Sequence, residues 1–116
     1  MTYNIGTIAS AANIVFLAAD TRVAASNSFF VFHQTSWTFF NAELQNAKIA
    51  EILNYINSED DRTKKIILER TKLSEPDLKE LMISGITKDA HFAKERDIVQ
   101  EVRDVQVPAG VEIFQV

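Results

Sequence analysis

The chain has 116 residues, with 12 lysine and arginine residues against 16 aspartate and glutamate residues, and it contains no cysteine. This length suits one domain with a modest core, and the 47% hydrophobic content is that of a globular protein. The missing cysteines exclude disulfides and thiolate zinc sites, and the net charge of −4 argues against general nucleic-acid binding. With only 3 glycines, neither Gly-rich phosphate-binding motif occurs.

The most apolar stretch of the sequence lacks the features of a membrane span or a signal peptide. It runs from Ala9 to Ala19, well short of the roughly 20 apolar residues that a span needs. No lysine or arginine precedes it, so the basic start of a secretion signal is missing. The sequence therefore predicts a cytoplasmic protein without a membrane partner. No spacing of histidines or carboxylates indicates a metal site, and we expect no cofactor.

The first 40 residues are apolar and predict short strands around one buried helix. Four apolar residues in succession at 29–32 are typical of a strand that is buried on both faces. In chain order we expect a strand at 2–5, a turn at Gly6, a helix over 10–19, a strand at 21–24 and the strand at 29–32.

The middle of the chain is charged and predicts helices. Apolar residues recur at three- and four-residue spacing over 44–56. We expect the polar cluster at 57–62 to interrupt this helix before an apolar segment resumes it. Another helix, ending near Ile83, begins at Ser74 because serine is a favoured N-cap and Pro76 follows early in the first turn.

The last part of the chain mixes helical and strand-like segments. Because strands alternate with helices along the whole sequence, the predicted fold class is α/β. The expected elements are a helix opened by Thr87-Lys88-Asp89 and running to about Arg96, a strand at 98–102, a turn at 108–110 and a strand at 111–116.

Ser10 is the first candidate for chemistry. It stands at the expected start of the apolar helix, where a nucleophile meets the positive end of the helix dipole. Its neighbours Ala9 and Ala11 are small and leave room for a substrate. The alternative is that Ser10 only caps the helix, which is the commonest role of a serine at this place and is favoured by the local sequence alone.

His33 is the second candidate. It follows the apolar strand, at the carboxyl end where α/β folds place their sites. A histidine beside a serine can take the hydroxyl proton and activate the oxygen as a nucleophile. Ser10 and His33 lie far apart in the sequence, so only the fold can bring them together. A half-buried histidine bonded to a backbone carbonyl is an equally good interpretation of His33 by itself.

The remaining chemistry-bearing residues have plainer interpretations. His91 lies in a charged helical segment and is interpreted as a surface or packing residue. Asp60 and Asp61 belong to a charge run that is typical of a solvated helix face. Six aromatic residues fall within 29–40 with no lysine or arginine among them, which favours a core or a subunit interface over a nucleic-acid stacking platform.

Three segments, taken together, resemble a known family. In order, spacing and flanking residues they are similar to the proteolytic subunit of the ATP-dependent Clp protease, within the Clp protease/crotonase-like fold. Later segments are similar to the divergent and phage-type members of that family, so the resemblance covers nearly the whole chain. The three segments are Gly6 to Ala12 around Ser10, Phe16 to Ala24 with Arg22, and Asn27 to Gln34 with His33.

The resemblance implies a serine peptidase that cleaves peptide substrates through an acyl-enzyme, with Ser10 as nucleophile and His33 as general base. It also implies the C-terminal portion of a ββα-type superhelix with a long helix after the His-bearing strand. The family usually works as stacked rings, and this helix is where its members build contacts between rings. Self-association and an ATPase unfoldase partner are therefore expected.

The sequence departs from the family pattern in two respects. The best match to the family's catalytic aspartate is Ile83, which cannot orient an imidazole; Asp77 and Asp89 are nearby substitutes that no motif supports. The family's chain also begins well upstream, with the first strands and a Gly-Gly loop whose amides stabilise the oxyanion. We therefore expect one N-terminally truncated Clp-protease-like domain over 1–116, with impaired activity.

Two alternatives stay open. One is a non-catalytic assembly subunit of the same fold, which the isoleucine at position 83 and the missing oxyanion loop motivate. The other is a crotonase-type acyl-CoA enzyme, which uses an oxyanion hole of backbone amides to stabilise a thioester enolate. The pattern of Ser10 and His33 favours the peptidase.

Overall fold

A computed structural model of the chain describes residues 1–104, 106 and 110. Strands and helices alternate along this part of the chain, so the predicted α/β class is confirmed. The predicted strand at 111–116 lies outside the described residues, as do Pro108 and Ala109 of the predicted turn. The elements are β1 (Thr2–Asn4), β2 (Thr7–Ala9), α1 (Ala12–Leu17), β3 (Arg22–Ala24), β4 (Phe29–Val31), α2 (Asn46–Arg70), α3 (Glu75–Ser84), β5 (Lys88–Asp89), α4 (Ala90–Glu95) and β6 (Glu101–Val102).

The strands form two three-stranded sheets. One sheet has the order β1-β3-β6 and is parallel, and the other has the order β2-β4-β5 with β5 antiparallel to β4. In the second sheet Ile8 of β2 is opposite Phe30 of β4. Because β2 and β4 run parallel, their carboxyl ends reach the same edge of the sheet. This topology brings the residues that follow the two strands, Ser10 and His33, to one end of the fold.

A single cluster of buried apolar side chains joins the sheets to the helices. Phe30 of β4 is fully buried, and its ring meets that of Phe16 from α1 edge to face with 5.5 Å between centroids. Leu78 from α3 and Ile67 from α2 belong to the same cluster. The core therefore packs Phe30 of β4 together with side chains from α1, α2 and α3, which helps to fix the strand that precedes His33.

Helix α2 is one continuous helix of 25 residues, so the predicted interruption at 57–62 is wrong. Ion pairs between residues three apart, such as Arg62 with Glu59 and Lys64 with Asp61, lie along its exposed side. A helix of this length spans about 37 Å. The radius of gyration of the chain is 17.0 Å, against about 13 Å for a compact domain of this size. The predicted long helix after the His-bearing strand is confirmed.

The predicted start of α3 is confirmed. Ser74 is the N-cap, and its Oγ accepts a hydrogen bond from the Asp77 N–H at 3.2 Å. Gly85 ends the helix in the left-handed conformation, at a φ of 60°, and donates its N–H to the Leu81 carbonyl at 3.0 Å. The helix stops one residue beyond the predicted Ile83.

Several short elements differ from the predictions. Strand β2 was not predicted, and α1 begins at Ala12 rather than at Ser10. The predicted helix ending near Arg96 is confirmed as α4, with Asp89 as its N-cap accepting the Phe92 N–H at 2.8 Å. The difference is that Lys88 and Asp89 form β5 before it. Strands of two or three residues are specified by the partners they pair with rather than by a local pattern, which explains why periodicity does not reveal them.

Two predicted strands have less regular structure than expected. The strand at 98–102 is reduced to β6, because the Ile98 and Val99 amides bond to the Ala93 carbonyl and their side chains enter the core. In the segment 29–32, Phe29 is exposed while Phe30 and Phe32 are buried. Burial on both faces is therefore wrong for this strand. Within the described residues, no helix is long and apolar enough to cross a membrane.

The guanidinium of Arg22 is the most connected polar group in the core. Arg22 is only 4% exposed. A guanidinium presents five N–H donors in a rigid plane, and here four hydrogen bonds tie β3 to the ends of three helices or the turns that follow them. The acceptors are the carbonyl oxygens of Ile98 at 2.8 Å, Ala19 at 3.0 Å, Arg70 at 3.0 Å and Asp97 at 2.9 Å.

The surroundings of Arg22 explain why its charge is tolerated there. Burial lowers the pKa of the Arg22 guanidinium, and the neighbouring charge of Arg70 lowers it further, against the opposing effect of Asp97 and Asp20. Arginine nevertheless stays protonated in proteins. Carbonyls at helix C-termini carry partial negative charge, so they compensate the buried cation.

We expect Arg22→Lys to lower the free energy of unfolding by about 3 kcal/mol, because one ammonium cannot replace a planar fork bonded to four separate carbonyls. Urea unfolding monitored by circular dichroism measures this change. Arg103→Lys is the matched control, since that side chain is half exposed, and its unfolding should move by less than about 0.5 kcal/mol. Equal effects of the two variants would contradict the role given to Arg22.

Candidate active site

Ser10 and His33 line the same cavity, which has a volume of about 430 Å³. The start of α1 and the segment after β4 form two of its walls, and the middle of α2 forms a third. Met82 of α3 also contributes to the lining. The fold thus brings together the two residues that the sequence singled out.

Ser10 occupies a sharp turn between a strand and a helix. Strand β2 ends at Ala9 and α1 begins at Ala12, so the chain reverses direction at Ser10. The φ angle of Ser10 is 57°, in the left-handed region that non-glycine residues rarely adopt. Its N–H donates to the Val31 carbonyl at 3.1 Å, and its carbonyl accepts the Asn13 N–H at 3.0 Å. These bonds hold the turn on both sides.

The side chain of Ser10 does not cap the helix, so the N-cap interpretation is wrong. The N-cap position of α1 is Ala11, and no side chain caps this helix. Ser10 is exposed, and among the hydrogen bonds of the described residues none involves its Oγ. Strained turns of this kind cluster at functional sites, and a strand-to-helix turn of this type is how some hydrolases present a nucleophilic serine.

Asn13 is a buried residue that supports this turn, and sequence reasoning did not single it out. Its Nδ2 donates to the Ser10 carbonyl at 3.1 Å and to the Val31 carbonyl at 2.8 Å. The side chain therefore links the Ser10 turn to the end of β4. An asparagine in the first turn of an otherwise apolar helix is the signal that could have identified it.

The imidazole of His33 is exposed and bonded to the backbone that follows it. Its Nδ1 lies 2.8 Å from the Gln34 carbonyl oxygen. A carbonyl oxygen only accepts hydrogen bonds, so Nδ1 carries a proton, and in the neutral ring Nε2 is then the nitrogen with the lone pair. This is the tautomer that a general base needs. Within the part of the chain that the structure describes, no hydrogen bond joins Ser10 Oγ to the ring, and such bonds are often long before substrate binds.

Asp60 is the residue of this cavity that sequence reasoning placed wrongly. Its neighbour Asp61 does lie on a solvated face, with a side chain 79% exposed. Asp60 is only 5% exposed, and its Oδ1 accepts the Thr35 N–H at 2.7 Å. Asp60 follows Ile52 and Ile56 at four-residue spacing, so it continues the stripe of α2 that faces the core. A charged residue at the spacing of the core-facing stripe was the signal in the sequence that Asp60 is buried.

The sequence of the described strands and helices, including the segments around Ser10 and His33, matches a known protein family. The sequence matches the family model of Clp protease over residues 1–106. The chain belongs to the Clp protease family. No curated protein matches the sequence. The resemblance in the segments around Ser10 and His33 is confirmed at the level of the family, and the α/β arrangement is that of a Clp protease-like fold.

In this member of the Clp protease family, Ile83, which the resemblance gives as the best match to the family's aspartate, is not among the residues that line the cavity. Ile83 is 63% exposed on the outer side of α3. The preceding Met82 lines the cavity instead and is 3% exposed, and its carbonyl accepts the Gln34 N–H at 3.2 Å. Helix α3 thus supports the His33 segment through its backbone, while no carboxylate of this helix lines the cavity among the described residues.

The two aspartates named as substitutes for the family acid have other roles. The Asp77 carboxylate lies 3.9 Å from the Arg96 guanidinium, and Asp89 caps α4. The carboxylates that do line the cavity belong to Glu59 and Asp60 of α2. Across the described residues, no group of three or more histidine, cysteine, aspartate or glutamate side chains could hold a metal ion. His91 is exposed, as expected for a surface residue.

We expect Ser10→Gly to be more stable than Ser10→Ala, because glycine adopts a φ of 57° without the Cβ clash that alanine retains. The difference in the free energy of unfolding should be about 1 kcal/mol in favour of glycine. Urea unfolding of the two variants measures it, and neither variant has a hydroxyl. The same pair at Ser58, inside α2, should show the opposite order, since glycine weakens a helix.

Proposed function

We propose that this chain is a serine peptidase in which Ser10 is the nucleophile and His33 the general base. One observation carries the proposal: the exposed hydroxyl of Ser10 stands on a left-handed strand-to-helix turn beside a cavity that His33 also lines. Family membership supports the same chemistry.

In the proposed reaction, Ser10 Oγ attacks the carbonyl carbon of a peptide bond while its proton passes to His33 Nε2. The tetrahedral intermediate collapses to an ester on Ser10, and the imidazolium returns the proton to the leaving amine. Water then hydrolyses the ester by the same proton route. The bond between Nδ1 and the Gln34 carbonyl supports this sequence, because it keeps the acceptor nitrogen free.

The negative oxygen of the tetrahedral intermediate needs hydrogen-bond donors. The amide of Ala11 directly follows the nucleophile and lies at the cavity, and no acceptor takes its N–H among the described residues. It is a candidate for one such donor. Loss of a single oxyanion donor costs on the order of 10²–10³ in rate, so one amide alone supports only slow turnover. We therefore propose a weak activity for this chain by itself.

A fluorophosphonate probe tests the peptidase proposal, because it phosphonylates a serine only where a base activates the hydroxyl. Ser10 should be labelled, with the site verified by peptide mass spectrometry, and Ser10→Ala should abolish labelling. His33→Ala should slow labelling by about 100-fold or more, as expected for loss of a general base. His91→Ala is the control and should leave the rate unchanged, since His91 is on the surface.

The other hypotheses give different results in the same experiment. Equal labelling of the wild type and His33→Ala would remove the general-base role. No labelling of a folded wild type would favour the non-catalytic assembly subunit. Binding of a coenzyme A thioester in calorimetry, without probe reaction, would favour a crotonase-type enzyme.

We further propose that the chain self-associates through the first half of α2 and the aromatic segment before it. Large apolar side chains are exposed there, among them Trp37 and Phe40 in the segment and Ile49 and Leu53 on the helix. Exposed apolar patches of this kind mark protein interfaces. Phe30 and Phe32 lie in the core, so the aromatic cluster is divided between core and surface. An ATPase unfoldase and a cytoplasmic location remain proposals that family membership supports.

Leu53→Glu should weaken self-association by at least about 10-fold in dissociation constant, because it places a charge in the apolar patch. Sedimentation velocity across a range of protein concentrations measures the change. Ser58→Glu adds the same charge about 140° around the helix and should leave association unaltered. A wild type that stays monomeric at all concentrations would contradict the interface.

A further inference from the structure

We propose that Asp60 is a positioning residue for His33 and acts through the peptide group between Gln34 and Thr35. This role rests on the proposed function, in which His33 is the general base. Asp60 would supply the negative charge that supports it. The proposed role gives His33 a supporting carboxylate from α2, whereas Ile83 of α3 has no carboxylate to offer.

A single peptide group connects the two side chains. The carbonyl of Gln34 accepts the Nδ1–H of His33 at 2.8 Å. The N–H of Thr35, at the other end of the same planar group, donates to Asp60 Oδ1 at 2.7 Å. The order of groups is therefore carboxylate, amide N–H, carbonyl oxygen and imidazole N–H, with every donor facing an acceptor.

The carboxylate strengthens the bond that orients the imidazole. A negative charge on the N–H side polarises the peptide group and makes its oxygen a better acceptor. Hydrogen bonds to ionised groups are roughly twice as strong as neutral ones. The Nδ1–H tautomer of His33 is thereby favoured, and the imidazolium that forms during catalysis is stabilised. Among the described residues Asp60 makes no hydrogen bond to Ser10, so its effect reaches the nucleophile only through His33.

The position of Asp60 makes the interaction effective. Its side chain is 5% exposed, so solvent and salt screen it little. The preceding peptide group, between His33 and Gln34, is also held, since the Gln34 N–H donates to the Met82 carbonyl at 3.2 Å. The other carboxylate of the cavity, Glu59, is paired with Arg62 at 2.6 Å and makes no hydrogen bond to the His33 segment among the described residues.

Asp60→Asn is the decisive variant. The amide keeps an oxygen that can accept the Thr35 N–H, so the fold is retained while the charge is removed. Asp61→Asn is the matched control, because it removes the same charge from the adjacent, exposed position. Both variants are compared with the full wild-type chain, and thermal unfolding establishes that each one folds.

Nitrogen-15 NMR of the histidine rings is the first readout, because it reports which ring nitrogen carries the proton whether or not the protein is active. At a pH where the ring is neutral, His33 should be the Nδ1–H tautomer in the wild type and in Asp61→Asn. Asp60→Asn should give a substantial Nε2–H fraction. A merely structural role for Asp60 would not change the tautomer of a folded variant.

The rate of fluorophosphonate labelling at Ser10 is the second readout. Asp60→Asn should lower the limiting rate by about 10-fold and leave the half-saturating probe concentration unchanged, because the proposed role of Asp60 is to support His33 and not to bind the probe. Asp61→Asn should stay within about twofold of the wild type. A lower limiting rate at an unchanged half-saturating concentration indicates weaker support of His33, whereas a higher half-saturating concentration would indicate weaker binding of the probe.

The outcomes separate the two proposals. An Nε2–H tautomer in the wild type overturns the role of Asp60 without any variant, and so does an Asp60→Asn protein that matches the wild type in both readouts. An equal response of Asp61→Asn would also overturn it. If wild-type Ser10 never reacts but the tautomer shifts in Asp60→Asn, the peptidase proposal fails while the positioning of His33 by Asp60 is supported.

Discussion

The guanidinium of Arg22 is the interaction on which the rest of the arrangement depends. It joins β3 to carbonyls at the ends of α1 and α2 and in the turn before β6. The acceptor after α1 is three residues away in the sequence, whereas the other three are 48 to 76 residues away. Because the carbonyl of Arg70 is one of its acceptors, the C-terminal end of α2 is fixed against the sheet. Asp60 lies about 15 Å back along the same helix, so this anchor also sets where its carboxylate meets the loop after β4.

The cavity combines two ways of placing a side chain. Ser10 is placed by the sheet, since β2 pairs with β4 and the chain must turn sharply to enter α1. His33 follows β4 in an irregular segment, which needs external support because no strand or helix fixes it. That support comes from α3 and α2, through the carbonyl of Met82 and the carboxylate of Asp60. The sheet thus positions Ser10, while two helices hold the segment that carries His33.

Features with local causes could be predicted from the sequence, and features with distant causes could not. Ser74 begins α3 because its hydroxyl caps an amide three residues later, and the periodicity of α2 is visible in its own residues. Strand β2 exists because of pairing with β4, which no local pattern records. The family resemblance singled out Ser10 and His33 as candidates but supplied no partner for the imidazole. Asp60 was misjudged because its neighbours are charged, whereas its burial follows from spacing to apolar residues one and two turns away.

The hydrogen bonds that hold His33 pass through main-chain atoms, and this has a consequence for how the site can vary between proteins. The carbonyl of residue 34 and the amide of residue 35 are present whatever side chains those positions carry. Substitutions there leave the chain of hydrogen bonds intact, with one exception: a proline at position 35 has no N–H to donate. Sequence divergence in this loop is therefore a poor guide to whether the His33 ring is still held, and the informative position is that of Asp60, in the middle of α2.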